Sequence, residues 1–150
     1  MQPRISVKAL IVDAGRILVP MHRDDDGDYF ILPGGGQERG ETVIAALERE
    51  CQEELGVAVT VGDLVGARDY IAQHHEFAAT DDAHQVELVF RCTLKTGAVP
   101  VVGANPDARQ IGVKWLALAE LDRVRFYPRR LAELLAKSGD RPFGYLGDVN

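Results

Sequence analysis

The sequence predicts an α+β fold, with strands in a mixed sheet and two helices packed against it. Three observations carry this reading. Short apolar runs of strand-like composition recur between Ile5 and Leu118. A stretch at helical period, bounded by Thr42 and Gly56, interrupts them early, and a second, Pro128–Gly139, follows them. Strands mixed with helices that lie far apart in the chain favour layers of helix on sheet.

The elements follow in order. Ile5–Val12 and Ile17–His22 flank "DAGR", a tight-turn signal, so they read as a hairpin. Asp24–Asp28 is a polar loop, and Tyr29–Pro33 is a short strand ended by proline. "GGGQERG" is expected to be irregular, since consecutive glycines favour no regular element. Thr42 can cap the next helix and Gly56 can end it, with Ile44, Leu47, Cys51 and Leu55 on its core-facing side. "VAVTVGDLVGARDYIA" reads as one or two strands, and Gln73–His84 as a polar loop. Gln85–Leu94 is the strongest later strand. "KTGAVPVVGANPDARQ" is expected to be a mobile connection before a strand at Ile111–Leu118. Pro128 opens the second helix at its first turn. The tail "DRPFGYLGDVN" fits no element by pattern.

With 150 residues, no repeat and no linker, the chain 1–150 reads as a single domain large enough to bury a core without staples. The net charge of -6 argues against nucleic acid or a membrane surface held through a general basic field. Cys51 and Cys92 both sit in apolar surroundings and read as free thiols in a reducing compartment. No signal-peptide pattern and no run long enough to cross a bilayer is present, so a cytoplasmic protein is expected.

One stretch is unusual. The first helix carries Glu48, Glu50, Glu53 and Glu54 with only Arg49 among them. Positions three and four apart share a helix face, so Glu50, Glu53 and Glu54 converge beside the apolar stripe. Like charges so placed destabilise a bare helix by roughly 0.2–0.5 kcal/mol per pair. A divalent cation reverses that sign, because clustered carboxylates are oxygen ligands that Mg²⁺ and Mn²⁺ accept beside waters and substrate phosphates. The bland alternative is a solvated acidic face. Against it stand the near absence of relieving lysines and the glycine-rich loop just upstream, whose backbone can approach a ligand closely.

Residues Gly35–Val57 resemble the Nudix hydrolase signature, G-x5-E-x7-R-E-U-x-E-E-x-G-U with U a bulky aliphatic. Gly35, Glu41, Arg49, Glu50, Glu53, Glu54, Gly56 and Val57 fit, Cys51 stands where an aliphatic is usual, and "LPGGG" upstream is also similar to the family. The resemblance implies an α/β/α sandwich with a mixed sheet and a catalytic loop–helix–loop. It implies hydrolysis of a phosphoanhydride in a nucleoside diphosphate linked to another moiety. A nucleoside triphosphate, oxidised or not, giving NMP and pyrophosphate is the default substrate, with dinucleoside polyphosphates, nucleotide sugars and ADP-ribose left open. It further implies Glu50, Glu53 and Glu54, joined by the backbone carbonyl of Gly35 or Gly36, as ligands of Mg²⁺ or Mn²⁺, with Gly35 and Gly36 also candidates for substrate binding. Arg49 and Glu41 would orient the glutamates, whereas a surface ion pair would be of little worth. Glu53 or Glu50 could take the proton from attacking water. Homodimers are common in the family, so a homodimer is an expectation of the resemblance alone. A noncatalytic nucleotide-sensing domain on the same fold is the alternative, as is an acidic module that meets a basic partner.

Weaker signals surround the motif. Glu87 is a candidate for a further metal ligand or base, with Glu76, Asp81, Asp82 and His84 as lesser ones. Arg23 could reach a phosphate, and Phe30 could stand near a base, although each has an ordinary surface or core explanation. "RFYPRR" (Arg125–Arg130) reads first as a helix start and second as an anion-contacting rim. Trp115 reads as core. His74, His75 and His84 suggest zinc by composition alone, but adjacent histidines diverge on a strand and no cysteine is near.

Overall fold

A computed structural model describes residues 2–150. The first hairpin is β1 (Arg4–Asp13) and β2 (Arg16–Asp24), joined at Ala14 and Gly15, both with positive φ. β2 and β3 (Gly27–Ile31) form a second tight hairpin, so most of the expected Asp24–Asp28 loop is strand. β4 (Gly34–Gly36) corrects the irregular reading of the glycine run. Gly34, Gly35 and Gly36 pair antiparallel with Lys8, Val7 and Ser6. The reason is that β1 and β2 stay paired only next to their turn, at Val12↔Ile17 and Asp13↔Arg16. The edge of β1 beyond that point is free, and a backbone without side chains fits it.

Helix α1 (Val43–Leu55) begins where Thr42 Oγ1 accepts from Ala45 N at 3.1 Å and ends at Gly56, which is left-handed at φ 63°. Its buried side holds Ala46, Leu47, Cys51, Glu54 and Leu55. Ile44 was expected there, but it lies in the first turn beyond the edge of the sheet contact and is 45% exposed. β5 (Val59–Ile71) is one long strand bent by irregular register near Leu64. β6 (His84–Leu94) pairs antiparallel with β5 and parallel with β1. β7 (Gln110–Ala117) lies on β2, β8 (Phe126–Tyr127) on β3, and α2 spans Arg129–Ser138. The unassigned tail supplies β9 (Gly144–Asp148), parallel to β5.

The expected mobile connection is anchored instead. Val101 N, Gly103 N and Asn105 N donate to the carbonyls of Leu55, Glu54 and Glu53. Those carbonyls end a helix and have no partner within it, so the loop satisfies them.

The strand order is β8-β3-β2-β1-β6-β5-β9, with β4 added to β1 and β7 to β2. Two cores result. Val7, Ala9, Ile11, Phe90 and Cys92 pack with Leu47, Cys51 and Leu55 under α1. Leu10, Val19, Phe30, Val65 and Val89 pack with Leu131 and Leu135 under α2. The sheet therefore separates two helices, as in an α/β/α sandwich. Alternation along β1 also positions the site: Arg4, Ser6 and Lys8 share a face with Leu10, so one strand face is cleft at one end and core at the other.

Candidate active site

The cleft, about 520 Å³, opens where β1 and β2 part. Gly34–Gly36 and, from α1, Glu54 line one part of it; the other motif glutamates are outside that lining, gathered by Arg49 beside Gly35 and Gly36. Its guanidinium donates to Glu41 Oε1 at 2.7 Å and Oε2 at 3.2 Å, to Glu50 Oε1 at 3.0 Å, to Glu53 Oε2 at 3.3 Å and to the Gly36 carbonyl at 3.1 Å. A five-donor fork can span these groups at once, which a lysine cannot. Glu41 also accepts from Glu38 N at 2.8 Å, closing the loop before the helix. The Arg49 contact holds the Glu41 carboxyl below its ordinary value.

Glu54 differs from its neighbours. It is 7% exposed and accepts a single long hydrogen bond, from Gly34 N at 3.4 Å. Burial pushes its carboxyl up to about 8, with Lys8 opposing. Gly35 lies against Glu50, and a side chain there would place its Cβ 2.5 Å from Glu50 Oε1. Among the described residues no three His, Cys, Asp or Glu side chains form a ready cage. Arg49 accounts for this, since it holds Glu50 and Glu53. The donor types still fit a hard divalent cation: they are carboxylate and backbone carbonyl oxygens, and the buried Glu54 carboxyl accepts a single long hydrogen bond.

The opposite end is aromatic. Tyr29, Phe77 and Tyr127 line it, with Tyr127 edge-on to Tyr29 at 6.2 Å and to Phe77 at 5.4 Å. Arg125 braces them. It makes two 2.7 Å bonds to Asp24, lies 5.1 Å over Tyr29 and donates to Tyr127 Oη at 3.0 Å. That contact holds Asp24 down at about 2. Cations Arg4, Lys8, Arg68 and Arg109 line the space between the two ends.

Several sequence expectations are corrected by strand parity. Phe30 is 6% exposed in the α2 core and does not face the cleft; Tyr29, its neighbour on the opposite face, does. Arg23 is outside the cleft lining and pairs with Asp28 across the β2–β3 hairpin at 2.7 Å, whereas Asp24 faces in. Arg125 is neither surface rim nor helix start but part of the aromatic wall. Glu87 does line the cleft. It is buried and receives Arg68 Nη2 at 2.7 Å. Burial alone would raise its carboxyl, but Lys8 and Arg68 outweigh it and hold the group below its ordinary value. A carboxylate so stabilised is a poorer base than an unperturbed one. Trp115 packs at the edge of the α1 core.

Outside the motif helix, Asp81 accepts from Tyr70 Oη at 3.1 Å, and Glu76 and Asp82 make no side-chain contact to the cleft. His74 and His75 each meet Asp148 at 2.7 Å, and His84 meets Asp69 at 3.3 Å. These contacts fasten β9 and its neighbours. Cys51 and Cys92 are buried free thiols, and burial pushes Cys92 up to about 12. No helix among the described residues is long and apolar enough to cross a membrane.

Comparison with known proteins gives the family. The NUDIX domain model matches residues 2–137, and the chain belongs to the NUDIX family of pyrophosphohydrolases. A MutT NUDIX hydrolase from Burkholderia pseudomallei superposes with a TM-score of 0.70 at 32% identity, covering 88% of this chain and 96% of that one. The nucleoside triphosphatase NudI of Salmonella arizonae is 28% identical over 141 residues, 90% of this chain and all of the relative. A Mycobacterium tuberculosis protein provisionally named 8-oxo-dGTP diphosphatase 2 is 38% identical over 101 residues, 65% of this chain. The matched stretch spans 60% of that relative's length.

Proposed function

We propose that residues 1–150 act as one hydrolase domain that cleaves a nucleoside triphosphate, oxidised bases included, to NMP and pyrophosphate with Mg²⁺ or Mn²⁺. The Arg49 network carries this reading: it holds the charged motif together against the Gly35–Gly36 edge of a cleft that is also lined by aromatic side chains. The names of the NudI and M. tuberculosis relatives support the substrate class. Glu50, Glu53, Glu54 and the Gly35 carbonyl would hold the metal. When bound, it supplies Lewis-acid stabilisation of phosphate charge and a more acidic water.

The chain's own residues do the rest. Arg4, Lys8 and Arg109 attract the polyphosphate into an otherwise acidic protein. Arg49 and Glu41 fix the carboxylates. Glu53 makes one 3.3 Å bond and keeps 28% of its side chain exposed, so it is the freer proton acceptor; Glu50 is packed against Gly35. Tyr29 and Phe77 stack on the base, braced by Tyr127, which is 5% exposed under Arg125 and Arg129.

The test is a nucleotide panel with and without Mg²⁺ or Mn²⁺, read as pyrophosphate release. Glu53→Gln is expected to lower kcat on the order of 10³-fold with an unchanged unfolding midpoint, since a proton acceptor is lost without a cavity. Full turnover in Glu53→Gln, or without divalent ion, overturns the mechanism. Nucleotide binding without turnover in the wild type favours the sensing domain.

A further inference from the structure

Glu87 remains after the reaction's needs are met. Its Oε2 accepts from Arg68, and its side chain makes no other hydrogen bond among the described residues. Oε1 is therefore left over on a carboxylate that is 5% exposed and lines the cleft. Arg68, itself 7% exposed, has an Nε–H with no partner. Its other nitrogen is tied to the Val149 carbonyl and to Asn150 Oδ1, and its plane lies 5.0 Å over Tyr70. The pair cannot swing out to water. A fixed acceptor beside a fixed donor, both with unused capacity, calls for a ligand.

Strand register places that pair relative to the motif. Gly36 is opposite Ser6, Ser6 is opposite Glu87, and Glu87 is opposite Arg68. Two strand spacings separate Gly36 from Glu87, roughly 10 Å. That is the reach of a nucleoside from its phosphates to the far edge of its base. The aromatic wall of Tyr29, Tyr127 and Phe77 borders the same space. Gln85, two residues away on the same strand face, also lines it.

Resting on the nucleotide reading above, we propose that Glu87 is a specificity-determining residue that accepts the ring N1–H of a lactam purine, guanine or hypoxanthine. The lactam edge carries N1–H beside a carbonyl oxygen, which matches a carboxylate beside a guanidinium. For a base whose position is fixed by its ribose, adenine brings the N1 lone pair to the same oxygen and is repelled. Sites built around a buried hydrogen bond reject analogues that lack it more strongly than apolar pockets reject a lost methylene.

The experiment compares kcat/KM for GTP, ITP, ATP and 1-methyl-GTP in the wild type, and for GTP and ATP in Glu87→Gln. GTP and ITP should agree within about threefold, with ATP and 1-methyl-GTP about 30-fold lower, the worth of a hydrogen bond to a charged group. Glu87→Gln should lower GTP about 30-fold while ATP stays within about threefold, erasing the preference. Equal wild-type use of GTP and 1-methyl-GTP, or of GTP and ATP, overturns the assignment, as does an equal loss on both nucleotides in the variant. The wild-type comparison decides the matter if the variant does not fold. Absence of turnover on the whole panel is a different result, one that removes the triphosphatase reading itself.

Discussion

The two ends of the cleft are built in different ways. At the motif end, Glu41, Arg49, Glu50, Glu53 and Glu54 come from one loop and the helix that follows it, and Arg49 reaches most of them directly. At the recognition end, Tyr29, Phe77, Glu87 and Tyr127 come from separate elements brought together by strand pairing. Asp24 and Arg125, which brace that wall, lie 101 residues apart. A site made within one helix keeps its geometry as long as the helix stands. A site made across strands exists only when the whole sheet has closed. Changes at the first end should therefore alter chemistry and spare the fold, while changes at the second should alter affinity and selectivity.

Arg49→Ala breaks the comparison most severely after Glu53→Gln. It leaves Glu41, Glu50 and Glu53 to repel one another and frees the Gly36 carbonyl. A loss on the order of 10²-fold in kcat is expected, as for other residues that orient ligating groups. Arg49→Lys should recover little, because one ammonium cannot replace the fork. Steady-state kinetics at saturating metal, with an unfolding curve on the same samples, checks both points. An unchanged kcat would show that Arg49 is only a surface partner.

Phe77→Ala tests the other end. Losing one aromatic stacking partner should raise KM about tenfold and leave kcat nearly unchanged. Tyr127→Phe keeps the ring and loses only the bond from Arg125 Nε, so it should lie close to the wild type. A fall in kcat equal to the rise in KM would mean that the aromatic wall aligns the reacting phosphates as well, and the division between the two ends would fail.

The same division decides what was legible in the sequence. The motif helix was readable because its carboxylates recur at 3.6-residue spacing between a cap and a terminating glycine, all local signals. Ile44 was the exception, since its exposure depends on where the sheet ends. Phe30 and Arg23 were misplaced because a short strand has two faces and nothing local states which one meets the cleft. Their neighbours Tyr29 and Asp24 hold the positions expected of them. The strand pairing of Gly34–Gly36 was invisible because it depends on β1 and β2 parting. β9 was invisible because its weak pattern is completed by parallel pairing to β5 and by the imidazoles that hold Asp148. Arg125 reads as part of a basic surface run because its partner, Asp24, is remote in sequence.

An effect on stability alone sharpens the motif end itself, because Glu54 is buried while the other motif glutamates are wetter. In the metal-free protein its carboxyl lies at about 8 against an ordinary 4.5. The folded state thus keeps a proton that the unfolded chain releases across that interval. Stability from this group is fully present below pH 4.5 and is lost as pH rises toward 8. Asp24 and Asp148, both held at about 2 against 3.8, act in a separate window: their contribution is present above 3.8 and lost as pH falls toward 2. His22, whose pKa is lowered chiefly by burial, acts in the opposite sense to Glu54, but it is common to wild type and variant. The difference between wild type and Glu54→Gln isolates the carboxyl. With chelator present, the variant should gain on the wild type in denaturant midpoint between pH 5 and pH 8.5, by on the order of 1 M urea, from lost carboxylate burial. Parallel curves across that range would mean that Glu54 is hydrated in solution, and that its buried charge gives the metal nothing to relieve.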